Sequence, residues 1–126
     1  MQIEDLQVYN KLFQLALSVD KLTLDFPKHE LYELGSQMRR SSNSAPANLA
    51  EGFGNKHTNI YTESISRSQG EIKETIHHLK MANSKGYLKT RELNHFVKEY
   101  EVCLLMLYAS EKSLYNNKRK PLTTNN

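Results

Sequence analysis

Residues 28–54, KHELYELGSQMRRSSNSAPANLAEGFG, decide how many helices this chain contains. Leu31, Leu34, Met38, Ser42, Ala45 and Leu49 recur at spacings of three and four and hold one phase throughout. Pro46 interrupts the run. An interior proline removes one backbone hydrogen bond and presses on the carbonyl four residues earlier, here that of Ser42, at about 3 kcal/mol. The alternative is two short helices, with Ser44 or Ala45 as the cap and Pro46 in the first turn of the second. The apolar phase does not reset at Pro46, which favours one helix from Lys28 to Phe53, kinked near Pro46. Gly52 and Gly54 then stop it.

The same periodicity extends on both sides. Upstream, Leu12, Leu15, Val19 and Leu22 predict a helix from Glu4 to Leu24, ended by Phe26-Pro27 because the residue before proline avoids helical backbone. Leu6, Tyr9, Phe13 and Ala16 add a second apolar line, wider than one helix contact requires. Downstream, a third helix over Thr58–Ser84 buries Tyr61, Ile65, Ser68, Ile72, Ile76 and Leu79, with Gly86 as its cap. A fourth, over Thr90–Tyr115, turns Leu93, Val97, Tyr100, Leu104, Leu107, Glu111 and Leu114 to one side. Short connections between four long helices predict an all-α protein, an antiparallel up-down-up-down four-helix bundle over residues 1–115. Residues 116–126 are polar, basic and interrupted by Pro121, and are expected to be a disordered tail.

Composition agrees with this reading. The chain has 126 residues, the size of one domain, and only 5 Gly and 3 Pro. Its single cysteine, Cys103, excludes an intrachain disulfide framework and fits a reducing compartment. The longest apolar run, Val102 to Ala109, is too short to span a bilayer. The opening MQIEDLQ lacks the features of a signal peptide, so a cytoplasmic protein without membrane partners is expected. The formal charge of +3 belongs to Lys118, Arg119 and Lys120, and the body without them is neutral.

Catalytic constellations are weak. Glu74 with His77 and Glu92 with His95 have the spacing that supplies di-iron ligands in some bundles. Glu74, however, sits about 200° around the helix from the core residue Ile72, so the pairs read as surface residues. Gly52-Phe53-Gly54 lacks the rest of a phosphate loop, and Ser41, Ser42 and Ser44 have no paired base. Cys103 reads as a small core residue. No enzyme activity, cofactor or metal site is expected.

A polar line is more distinctive. Gln37, Arg40, Ser44, Asn48 and Glu51 are spaced three, four, four and three apart, about 100° from the apolar line. One reading is a structural network joining this helix to a neighbouring helix or subunit, in which Glu51 is a natural ion-pair partner. The other is a contact surface for RNA or DNA, with Arg39, Arg40 and Lys56 on phosphates and Lys118, Arg119 and Lys120 adding charge.

The order Phe26-Pro27, Gln37, Arg40, Ser44, Pro46, Asn48 and Ala50-Glu51-Gly52-Phe53-Gly54 resembles the 23S rRNA-intervening sequence protein family of four-helix bundles. Its members are encoded by insertions in bacterial large-subunit ribosomal RNA genes or elsewhere in bacterial chromosomes, and accessory proteins of diversity-generating retroelements are similar in fold. Gly70 and Glu74 match a Gly-x-x-x-Glu in the family's third helix, and the glycine suggests a close backbone approach there. Arg67, Gln69 and Thr75 depart from the family's apolar or small residues. The resemblance implies a ring-forming homo-oligomer, pentameric, with a nucleic-acid role and no established chemistry. The function expected is a non-catalytic homo-oligomer that binds nucleic acid, most readily RNA. The alternative is an assembly or accessory subunit whose partner is another protein, such as a reverse transcriptase.

Overall fold

The computed structural model describes residues 1–119, with side chains through Asn117. A 3-10 turn at Ile3–Asp5 leads into α1 (Gln7–Thr23), the single-turn α2 (Lys28–Leu31), α3 (Leu34–Gly52), α4 (Thr58–Ser84) and α5 (Thr90–Arg119). The fold is all-α, with four long helices and no strand among the described residues. α1 packs on α3 and α5, α3 on α4, and α4 on α5, so the four long helices close around one core.

The expected second helix is two helices, and the break lies at Tyr32 and Glu33 rather than at Pro46. Its cause is tertiary. Arg39 Nη2 donates to the Leu31 carbonyl at 2.8 Å, taking over an acceptor that a continuous helix would have used. Glu30 turns inward, where its carboxylate accepts from Lys85 Nζ at 2.6 Å and Tyr87 OH at 3.1 Å. Gly35 makes room for this: a Cβ there would stand 3.1 Å from the Glu30 carbonyl oxygen and 3.0 Å from Arg39 Nη1. Pro46, in contrast, is buried inside the unbroken α3.

The serines that crowd α3 belong to its contact with α4. Ser68 Oγ donates to the Ala45 carbonyl at 2.8 Å. The Thr75 hydroxyl lies 2.8 Å from both Ser41 Oγ and the Glu71 carbonyl. Further along, Gly52 packs directly against Ser64. These three contacts occur in reverse order along the two helices. Small side chains let the backbones approach closely, and each buried hydroxyl keeps a hydrogen bond that offsets its desolvation.

The core is built from Val8, Leu12, Leu15 and Val19 of α1 and Leu34, Met38, Ala45 and Leu49 of α3. Ile65, Ile72 and Leu79 of α4 join Phe96, Tyr100, Cys103 and Leu107 of α5. The expected α5 line is therefore rotated: Leu93, Val97, Leu104, Glu111 and Leu114 are only half-buried. Apolar residues cover a wide arc of this helix, and the bulk of Phe96 and Tyr100 sets which part of it faces inward.

α4 begins and ends at the expected residues. Its end is a paired turn in which Gly86, at φ +86°, donates to the Asn83 carbonyl at 3.0 Å and Tyr87 to that of Ala82 at 2.9 Å. α5 runs four residues past the expected end at Tyr115, since no breaker precedes Pro121 and only Lys120 adjoins it. Residues 120–126 of the expected tail lie outside the described residues. The close approach expected at Gly70 is not found within the chain: the residue is exposed, and a Cβ there would meet nothing within 4 Å. No described helix is long and apolar enough to cross a membrane.

Candidate interaction surface

Arg39 and Arg40 are neighbours in sequence but sit about 100° apart around α3. Arg39 points into the protein, where Nη1 donates to Thr23 Oγ1 at 2.9 Å and Nη2 to the Leu31 carbonyl. Its guanidinium is thereby a structural tie between α3, α1 and α2. Arg40 points outward, is exposed, and has no hydrogen bond or ion pair among the described residues.

The rest of the polar line follows Arg40 along the outer face of α3 and borders three recesses. Gln37 lines one of about 250 Å³ shared with Glu33, His77 and His78. Arg40 and Ser44 line a groove of about 440 Å³ against Phe13, Leu17 and Asp20 of α1. Asn48 and Glu51 border a recess of about 200 Å³ with Ile60, Glu63 and Arg67 of α4. Asn48 Nδ2 donates to the Ser44 carbonyl at 2.9 Å, a bond internal to the helix. No other bond joins members of the line among the described residues, and Arg40 and Glu51 stand about 16 Å apart along the helix. The line is a continuous polar ridge without a network to a neighbouring helix of its own chain.

The other expected cations are dispersed. Lys56 is exposed on the loop between α3 and α4, without a partner among the described residues. Lys118 and Arg119 continue the α5 backbone, and Lys120 lies outside the described residues. On the far side of the molecule, α5 exposes Leu105 (68% accessible), Val102 and Tyr108, the last with Lys73 Nζ 5.9 Å from its ring centre.

The Glu-x-x-His pairs are not assembled into one site. Glu74 Oε2 lies 3.2 Å from His78 Nε2 rather than meeting His77, and Glu92 Oε1 accepts from the Lys89 backbone at 3.3 Å. Among the described residues no group of three His, Cys, Asp or Glu is placed to hold a metal ion. Cys103 is fully buried, and burial pushes its thiol up to about 11. Of the departures from the family pattern, Arg67 is exposed and paired with Glu63 at 2.6 Å, and Thr75 is bonded to Ser41. Gln69 is buried with its Nε2 unbonded.

One cluster escaped the reading of the sequence. Glu30 is only 5% accessible, and the hydrogen bond from Lys85 holds its carboxyl below the usual carboxylate range, assisted by Tyr87 and opposed by burial. The same bond raises Lys85. Its partners lie 55 and 57 residues away, so no local pattern marks them.

Four long helices around one core, with a polar ridge on α3 and an apolar face on α5, define an all-helical four-helix protein. A model of the 23S rRNA-intervening sequence protein family matches residues 4–109, and the chain belongs to that family. The match takes in α1 to α4 and most of α5. No curated protein matches the chain.

Proposed function

We propose that this protein is a non-catalytic, cytoplasmic homo-oligomer that binds RNA through weak basic sites repeated on each protomer. Its four long helices run up-down-up-down and Pro46 bends α3; the reversed order of the α3–α4 contacts supports that arrangement. The observation that carries the assembly reading is the exposure of two unsatisfied surfaces on one small domain: the polar ridge of α3 and the apolar face of α5 around Leu105. The family name supports an association with ribosomal RNA. The body is neutral, so a single protomer offers little attraction to phosphate. Repetition of Lys56 and the basic run 118–120 around an oligomer would supply avidity, and five copies are what the family resemblance implies.

The second reading, an accessory subunit for a protein partner, is favoured by the exposed Leu105 face, which suits a protein better than a phosphate backbone. Salt-titrated binding to structured RNA separates the two. The RNA reading expects binding at low salt that weakens as salt rises. Replacing Lys118, Arg119 and Lys120 by Ala should make that dependence shallower by roughly one unit of slope per lost contact. Absence of binding at low salt by the assembled protein would overturn it in favour of a protein partner.

A further inference from the structure

Two helical ridges on this chain match each other. On α3, Arg40, Ser44, Ala47 and Glu51 follow one another at spacings of four, three and four, so they share one line. On α5, Glu101, Leu105, Tyr108 and Lys112 follow at the same spacings. The α3 ridge carries a cation, two small residues and an anion; the α5 ridge carries an anion, two large apolar residues and a cation. The charged pair on each ridge is separated by eleven residues, about 16 Å of helix. All four charged side chains are exposed, and none has an ion pair among the described residues.

We infer that α5 of one protomer docks along α3 of a second copy, with Glu101 on Arg40, Lys112 on Glu51, and Leu105 and Tyr108 over Ser44 and Ala47. This rests on the homo-oligomer reading above and names the two surfaces that make the contact. The size pattern fits as well as the charge. Ser44 and Ala47 leave a shallow floor, and the adjoining groove against α1 offers Phe13 and Leu17, both exposed, as apolar walls. Leu105 is 68% accessible in the lone protomer and gains the most from being covered.

Direction decides between possible orientations. Glu101 can face Arg40 while Lys112 faces Glu51 only if the two helices run the same way; the reverse orientation sets like charge against like. In an up-down-up-down chain α3 and α5 point the same way, being separated by α4 alone. A copy related by rotation about an axis parallel to the helices keeps that direction. The contact joins two different surfaces, so it is heterologous and propagates around a ring if the rotation closes, or along a filament if it does not. It also assigns Arg40 to assembly and leaves phosphate contact to Lys56 and the basic run.

The test is a charge swap, read by light scattering coupled to size exclusion on the full chain, with circular dichroism to show that helicity is kept. Arg40→Glu and Glu101→Arg, each alone, should weaken association by about ten-fold or more, because each sets like charges together. The double variant should return towards the wild-type mass. Leu105→Asp provides an independent route and should dissociate the assembly through lost apolar cover. A wild-type assembly unmoved by these substitutions, or singles that dissociate and a double that does not re-associate, overturns the pairing while leaving the homo-oligomer reading intact. A monomeric wild type overturns both.

Discussion

Arg39 Nη1 donates to Thr23 Oγ1 at 2.9 Å, which ties the start of α3 to the last residue of α1. The same guanidinium reaches the Leu31 carbonyl, so one side chain holds together the three segments that meet around the Tyr32–Glu33 break. Arg39→Ala should therefore cost about 1–3 kcal/mol of stability, since it leaves the carbonyl of the half-buried Leu31 and the hydroxyl of the buried Thr23 short of a donor. Chemical denaturation measures this. Arg40→Ala, one residue on, should leave the stability of the dissociated protomer within about 0.5 kcal/mol, as expected of an exposed site. Equal losses at both positions would contradict the division of roles between them.

Two glycines should respond in opposite directions. Gly52→Ala places a methyl group against the Ser64 side chain in the α3–α4 contact. Overpacking of this kind should destabilise the protein by about 1–3 kcal/mol. Gly70→Ala meets open space on the exposed side of α4 and should stabilise the helix by up to about 1 kcal/mol. A large loss on Gly70→Ala would mean that the position is covered by another molecule. Thermal melts of the two variants make the comparison.

The Glu30–Lys85–Tyr87 cluster gives a definite pH signature. Lowering of the Glu30 carboxyl means that its contribution is full above its ordinary value near 4.5 and is lost as pH falls through the lowered value. Lys85 is raised from 10.5, so its contribution is full below that value and is lost as pH rises through the raised one. The pair acts fully between those limits. Glu30→Gln should lower the melting temperature by a constant amount around neutrality, and that difference should shrink in acid. A penalty that persists undiminished well below pH 4.5 would show that packing, not charge, holds the cluster.

The sequence makes some of this legible and hides the rest for identifiable reasons. α4 could be read to the residue because Gly86 marks its end locally and its apolar spacing is uninterrupted. The continuity of α3 through Pro46 was readable from the unbroken phase of Met38, Ala45 and Leu49. The break at Tyr32–Glu33 was not, because it depends on the bonds Glu30 accepts from the distant Lys85 and Tyr87 and on Arg39 reaching back to Thr23 and Leu31. The inward face of α5 differs from its leucine line for a related reason: Phe96 and Cys103 lie beside that line, and only packing sets which arc is innermost. The polar ridge was visible as a spacing pattern. Whether its members had partners depended on where α1 and α4 would lie.

The mass of the protein in solution tests its self-assembly most directly. Light scattering coupled to size exclusion at micromolar concentration should return a defined multiple of 14.6 kDa, five-fold if the family resemblance carries over. A species at 14.6 kDa alone would contradict self-assembly and remove the avidity on which binding by a neutral body depends.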